Sequence, residues 1–420
     1  DLHSFPTRRS SDLLSWIDVE RMRKSFEKKL NLMAAKRPCD FMIVVLVALL
    51  VIFGTVMIFS ASYYKSISEN GSPYSFLSKQ VVFAVTGAII MYVASFVDYK
   101  VYATKFTYGF TIVCFILLLL LYTPAGYTTN NATRWILLGK ISIMPGEFAK
   151  LGAILMTAKF FADDPLRIKK LKEGLLPAVG LMCLAALLIA KQPNLSTALT
   201  LVAIVCGMLF VAGISLRYVA AIAGVGVMAL IGILMSGTFW AKRIFGFLDP
   251  FEYAKDKGFQ VAQSLLAIGT GGLTGRGLGQ SIQKNLYLPE PQNDFIFSIV
   301  GEELGFIGAL GVLIIFVLLI WRCLRVTLKA PDLLGMLLAS GATIMIGIQV
   351  IFNVAVVTSS MPPTGVALPF ISFGGNALWV CMSAMGIVLN ISRNIAADDA
   401  DDEGGVSYLK RKRRKRKSPQ

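Results

Sequence analysis

Apolar runs long enough to cross a hydrocarbon core recur along this chain from Phe41 almost to its C-terminus, separated by polar and charged stretches. A bilayer interior about 30 Å thick takes roughly 20 helical residues at about 1.5 Å each. The pattern predicts ten helical spans, near 41–62, 80–97, 106–122, 148–161, 175–190, 197–214, 218–239, 295–321, 333–357 and 375–391, with the fourth the shortest. An even number returns both termini to one side of the membrane. Loops that would share that side carry Arg167, Lys169, Lys170 and Lys172, then Arg322, Arg325 and Lys329. Basic residues are retained on the cytoplasmic side, so both termini are expected there. The expected fold is an all-α integral membrane protein of about ten spans.

Two segments are then left on the outer side, 123–147 and 240–294. The second, between spans seven and eight, has about 55 residues, and loops beyond about 15 residues are uncommon unless they carry function or structure of their own. Within it Phe259 to Ile268 has amphipathic helical spacing and is expected to lie on or dip into the outer surface. The segment from Met361 to Gly375 carries three prolines and cannot be continuous helix, which implies a cavity or protein burial at membrane depth.

Composition agrees with a bilayer. Of 420 residues, 55% are hydrophobic and only 16% charged, and the mean hydropathy is +0.66. Residues 1–13 resemble the translation of a sequencing adapter and are set aside, which leaves no histidine, because His3 is the only one. Histidine-based nucleophilic catalysis and histidine-ligated zinc are thereby excluded. The six cysteines are scattered without metal or disulfide spacing. The net charge of +16 is concentrated in 14–40, a basic amphipathic segment, and in the run Lys410 to Lys417, which follows an acidic linker within the tail 394–420. Both flank membrane segments, so anionic lipid headgroups explain them and nucleic acid is not implied. The first apolar run is about 22 residues long, lacks a cleavage pattern and is expected to stay as a signal anchor.

Candidate chemistry gathers at the ends of the outer segments. Gly269 to Gly279 is glycine-rich but has no Gly-Lys-Ser/Thr and no preceding strand, so it reads as a tight turn that lets backbones pack closely, with any freed N–H groups open to an anionic headgroup. Asp294 stands where the long loop meets the eighth span. Asn293 or Asp294 reads as a helix N-cap, and a carboxylate fixed there is also open to a membrane-bound substrate. Glu302 and Glu303 follow inside the membrane, where pairing is the expected role. Glu147 and Lys150 are spaced i, i+3 at a helix start, geometry for an ion pair that could hold Lys150 toward a phosphate. Arg134 stands out in the first outer segment, and Gln192 lies in a Pro-broken outer turn that reads equally as a plain turn or a substrate contact.

These segments together resemble the SEDS family (shape, elongation, division and sporulation). The residues that carry the resemblance are Phe247-Leu-Asp-Pro250, Gly258-Phe-Gln260, Ala267-Ile-Gly269, Gly271-Gly272, Leu288-Pro-Glu290, Asp294-Phe-Ile-Phe297, Gly301-Glu-Glu-Leu-Gly-Phe-Ile-Gly308 and Leu368-Pro-Phe-Ile-Ser-Phe-Gly-Gly375. They fall in family order through a membrane domain at 41–393, and Pro-Glu-Pro-Gln-Asn-Asp is closer to the division and sporulation branch than to the elongation branch. Asn194 and Ser196 stand where the family usually shows Asp and Gly, Thr133 where a second basic residue is common, and Asn376 where Ser is usual.

The resemblance implies a peptidoglycan glycosyltransferase that polymerises lipid II at the outer face of the bacterial cytoplasmic membrane, at the septum, with a class B penicillin-binding transpeptidase and other division proteins as partners. Asp294 matches the catalytic position, and Arg134, Glu147, Lys150, Gln192 and Ser372 are the implied substrate-binding residues. An α-linked donor gives a β-1,4 bond by inversion, for which one carboxylate serves as general base. The lipid pyrophosphate leaving group needs charge stabilisation, which Arg134 and Lys150 offer. No cofactor is required, and a divalent cation, Mg or Mn, is compatible with the chemistry although no ligand cluster demands one. Two rivals use the same features: a lipid II flippase, whose key charges should lie near the midplane, and a non-catalytic division scaffold, which should depend on the basic tail.

Overall fold

The computed structural model describes residues 39–416 apart from 130–131, 140, 193, 216, 219, 222–223, 225–246, 248 and 254–257. Segment 1–13, nearly all of 14–40, most of the seventh predicted span and residues 417–420 lie outside the described residues. The other nine predicted spans are helices: α1 (Phe41–Asn70), α2 (Ser75–Phe96), α3 (Lys105–Leu120), α4 (Pro145–Asp163), α5 (Leu176–Lys191), α6 (Leu195–Val211), then, after the amphipathic helix α7 (Phe259–Gly271), α8 (Ile296–Leu328), α9 (Leu333–Val357) and α10 (Gly375–Arg416). The fold is that of an all-α, multi-pass membrane protein.

Burial separates core helices from peripheral ones. In α9 and α10, 72% and 78% of the most apolar window is buried, against 11% in α2 and 22% in α8. On α2 the side chains of Val82, Val85, Ile89 and Val93 point outward, and on α8 those of Phe306, Ile307, Ile314 and Val317 do. A continuous apolar exterior of this kind is untenable in water and ordinary against lipid tails. The fourth span is a 19-residue helix that keeps Glu147, Lys150 and Lys159 buried, which is why its hydropathy is weak although its position is interior.

Polar pairs pin the two ends of the bundle. At one end the backbone N–H of Asp40 donates to Ser392 Oγ at 3.1 Å, and Arg322 bridges to the Asp40 carboxylate at 2.9 Å, so the start and finish of the membrane domain meet. Tyr99 joins them there, its hydroxyl donating to Asp332 and its N–H to Asn390 Oδ1. The opposite end carries a feature absent from the all-α expectation, a three-stranded antiparallel sheet of β1 (Gly126–Thr129), β2 (Ala132–Leu138) and β3 (Ile141–Ile143), with Tyr127 opposite Trp135 and Ile136 opposite Ile143. The sheet is tied to the bundle by Asn376 at the start of α10, whose amide donates to Ser142 O at 2.9 Å.

The long segment between the seventh and eighth spans folds onto α8. Helix α7 packs there through Val261, Ala262, Ser264 and Ala267, and Ser264 exchanges a 2.7 Å hydrogen bond with Ser298. Helix α8 is broken at Gly305, with φ +68 and ψ −168, which frees carbonyls of the preceding turn. The glycine-rich segment fills them: Arg276 N–H donates to Glu302 O and Gly277 N–H to Glu303 O, while Phe306 N–H reaches back to Gly272 O. The turn reading of this segment thus holds, and these N–H groups are engaged by protein rather than open to a headgroup. Contact is backbone to backbone, so a Cβ on Gly305 would lie 2.3 Å from Gly275 N and 2.6 Å from Leu273 O.

Beyond the glycines the loop is anchored by the two buried carboxylates of α8. Glu302 accepts from the Ser281 hydroxyl and from Ile282 N–H at 2.8 Å. Glu303 pairs with Lys284 at 2.9 Å and accepts from Ser60 of α1 at 2.7 Å; Lys284 is 4% exposed and Glu303 not at all. A charge buried in this way is stable only while its partners remain.

Two outcomes follow for detergent-solubilised protein. Gly305→Ala should lower the thermal midpoint, with a backbone cost of roughly 1–3 kcal/mol before the steric clash is counted, whereas Gly311→Ala, whose Cβ would meet nothing within 4 Å, should not. Lys284→Met should cost about 3–5 kcal/mol by stranding Glu303, and adding Glu303→Gln should recover much of that loss; thermal unfolding of the two variants side by side checks it.

Candidate active site

Asp294 ends the anchored loop. Helix α8 starts two residues later at Ile296, with Phe295 in the cap position, one residue beyond the caps expected at Asn293 or Asp294. Asn293 instead turns its amide to Glu290 Oε2 at 2.8 Å. The backbone of Asp294 is held from α9: Asn353 Nδ2 donates to Asp294 O at 2.7 Å and to Val366 O at 2.8 Å, joining the loop to the non-helical segment before α10. That segment comes close because Gly365, at φ +77, has no side chain; a Cβ there would lie 3.1 Å from Asp294 Oδ2. The predicted break from Met361 to Gly375 is real, and it forms one wall beside the Asp294 carboxylate.

Arg134 belongs to β2, in the sheet tied to the start of α10. Burial pushes its guanidinium pKa down and the nearby Asp294 carboxylate pulls it back up. The sheet therefore brings a cation from the first outer segment within electrostatic reach of a carboxylate 160 residues away in the chain. A short β-hairpin is a rigid way to present one side chain over a bundle, since strand pairing fixes the direction of alternate residues.

Glu147 and Lys150 form the expected ion pair at the start of α4, with Lys150 Nζ 2.7 Å from Glu147 Oε2 and only 3% of the lysine exposed. Helix α4 packs against α9 and α10, where the Cys381 thiol contacts Gln349 Oε1 at 3.7 Å. Gln349 is one helical turn from Asn353, whose amide holds the Asp294 carbonyl.

The remaining predicted positions take local roles. Gln192 is buried and donates to Leu118 O at 3.3 Å, closing the turn after α5 onto α3. Ser372 is buried, and its hydroxyl accepts the Leu368 N–H at 2.8 Å inside its own turn. Asn194 accepts from Thr197 N–H as the cap of α6 and from the Ser196 hydroxyl at 3.2 Å, so two departures from the family pattern pair with each other. Sequence reasoning missed Asn353, Lys284, Ser60 and Lys65, whose partners lie far away in the chain or in an irregular loop, and it quoted Glu290 without giving it a role. Among the described residues no three His, Cys, Asp or Glu side chains group as a metal site.

With this geometry in view, comparison with known proteins is specific. The FtsW/RodA/SpoVE cell cycle protein family model matches residues 40–396. Stage V sporulation protein E of Bacillus subtilis (strain 168) is 41% identical over 355 residues, covering 84% of this chain and 97% of that protein. A protein named probable peptidoglycan glycosyltransferase FtsW from Geobacter sp. (strain M18) is 38% identical over 357 residues, covering 84% and 96%. Among solved structures, a chain from a peptidoglycan synthase complex that coordinates polymerization and crosslinking aligns with a TM-score of 0.71 at 27% identity, covering 85% of this chain and 98% of that one. Rod shape determining protein RodA of Thermus thermophilus aligns at 0.63 and 29% identity, covering 85% and 97%. A break in α8 that locks the loop before Asp294, a sheet that carries Arg134, and likeness along almost the whole membrane domain converge: this chain belongs to the FtsW/RodA/SpoVE family.

Proposed function

We propose that this chain polymerises lipid II into β-1,4 glycan at the outer face of the cytoplasmic membrane, with inversion, alongside a class B penicillin-binding transpeptidase. The observation that carries the reading is an Asp294 carboxylate held beside the Gly365 wall and within electrostatic reach of the Arg134 guanidinium. The names of the relatives support the reaction class. The outer-face assignment rests on the basic residues grouped at the opposite end, where both ends of the membrane domain meet.

In this reading Asp294 takes the proton from the acceptor 4-hydroxyl as that oxygen attacks the anomeric carbon from the side opposite the leaving group. The C–O bond to the lipid pyrophosphate breaks as the new bond forms, and the departing oxygens carry the negative charge. Pyrophosphate is a competent leaving group, so cationic stabilisation matters more than a general acid. Arg134 suits that role through its fork of donors, and Lys150, paired with Glu147, adds a point charge farther back. A carboxylate base confined to one face separates this reading from a transporter.

Two measurements test it on the protein co-purified with its transpeptidase and supplied with lipid II. Asp294→Asn should cut glycan polymerisation by roughly 10²–10⁴-fold, the usual worth of a positioned base; wild-type polymer from this variant would overturn the assignment, and flipping without polymer would favour a transporter. Arg134→Gln should lose roughly 10²–10³-fold in turnover, and Arg134→Lys should recover part of it, because charge returns without the two-pronged geometry.

A further inference from the structure

The turn immediately before Asp294 is held in a conformation that its own residues do not favour. Glu290 lies between Pro289 and Pro291 and adopts φ +51, in the left-handed region where residues with a Cβ are uncommon. Such a conformation persists only when its surroundings over-determine it, and it is enriched where geometry serves function. Here the surroundings act through the Glu290 carboxylate. Oε1 takes the ammonium of Lys65, from the last turns of α1, while Oε2 accepts from Gln292 Nε2 at 3.1 Å and Asn293 Nδ2 at 2.8 Å.

These contacts close on the two residues that precede Asp294. Asn293 N–H also donates to Glu290 O at 3.0 Å, and the carbonyl of Gln292, a residue 1% exposed, accepts from Phe373 N–H at 2.9 Å. The turn is thus clamped on one side by α1 and on the other by the segment leading into α10. Lys65 is itself largely buried at 15% exposure, and its other acidic neighbour, Glu69, is farther away at 3.8 Å. A half-exposed acid that collects a buried lysine and two amides is more than a surface ion pair, for which little coupling would be expected.

We propose that Glu290 is a positioning residue for the glycosyl transfer reaction, and that Lys65 anchors it, so that the first helix of the bundle sets the orientation in which Asp294 meets the acceptor hydroxyl. Glu290 acts through the turn and its donors and touches no reacting atom. The inference rests on the proposed role of Asp294. A small misplacement of a base costs rate rather than ground-state affinity, because alignment matters at the transition state.

The test compares kcat and KM for lipid II in the co-purified complex. Glycine accepts positive φ freely, so Glu290→Gly removes the carboxylate without straining the turn. It should lower kcat by roughly 10–100-fold with KM within about two-fold of wild type. Lys65→Met should lower kcat in the same sense by a smaller factor, and Glu69→Gln should leave both constants unchanged. Wild-type kcat in Glu290→Gly would overturn the proposal. So would a rise in KM at constant kcat, which would mark a substrate contact, or a loss matched by the fraction of unfolded protein in thermal melts. Asp294→Asn in the same assay keeps the two ideas apart: if it retains activity the base assignment fails, and if it is inactive while Glu290→Gly is fully active only the positioning role fails.

Discussion

The architecture around Asp294 depends on two adjacent carboxylates that the bundle keeps out of both water and lipid. Glu302 and Glu303 are fully buried, and each draws a different part of the loop toward α8: one the backbone at 282, the other the ammonium of Lys284. Burying such charges is unfavourable unless every lone pair finds a donor. The consequence is geometric, because a loop that supplies those donors has one arrangement and not many. Ser60 adds a donor from α1, so the same constraint also fixes the first helix against the loop.

Asp294 inherits its place from this arrangement and from Asn353, whose amide holds the carbonyls of Asp294 and Val366 together. One buried side chain from the last turns of α9 thereby sets the distance between two irregular segments that have no regular hydrogen-bonding partner of their own. Irregular backbone at this depth is tolerated only where protein satisfies it. The Glu147–Lys150 pair lies at the start of α4, which packs directly against α9 and α10. That pair sits in the interior of the bundle, whereas Asp294 stands at the start of α8, whose later turns face lipid.

How much of this could be read from residues alone varies with the range of the interaction. Nine apolar runs are helices because a bilayer leaves a spanning chain no other way to satisfy its backbone, and that requirement is written locally. The Glu147–Lys150 pair was legible for the same reason, as three residues along a helix are neighbours by geometry. The sheet was not: β2 reads Ala-Thr-Arg-Trp-Ile-Leu-Leu, without the clean alternation that announces a half-buried strand. Lys65 and Glu290 are 225 positions apart, and nothing local to either marks the other. Asp294 was found at a helix boundary, yet its wall at Gly365 and its cation at Arg134 come from elsewhere in the chain.

The contacts of the segment from Gly271 to Glu290 bear on how the protein is made. Its closest partners, Glu302, Glu303 and Gly305, follow it by only 19 to 30 or so residues, so the loop and the start of α8 form a unit of mostly short sequence separation. Its remaining partners, Ser60 and Lys65, precede it by more than 200 residues and have long been synthesised when the loop emerges. Among the described residues, no hydrogen bond of the segment from Gly271 to Glu290 reaches α9. The wall at Gly365 and the amide of Asn353 belong to the part of the chain synthesised last, so the contacts that enclose the Asp294 carboxylate cannot form before the final helices are made.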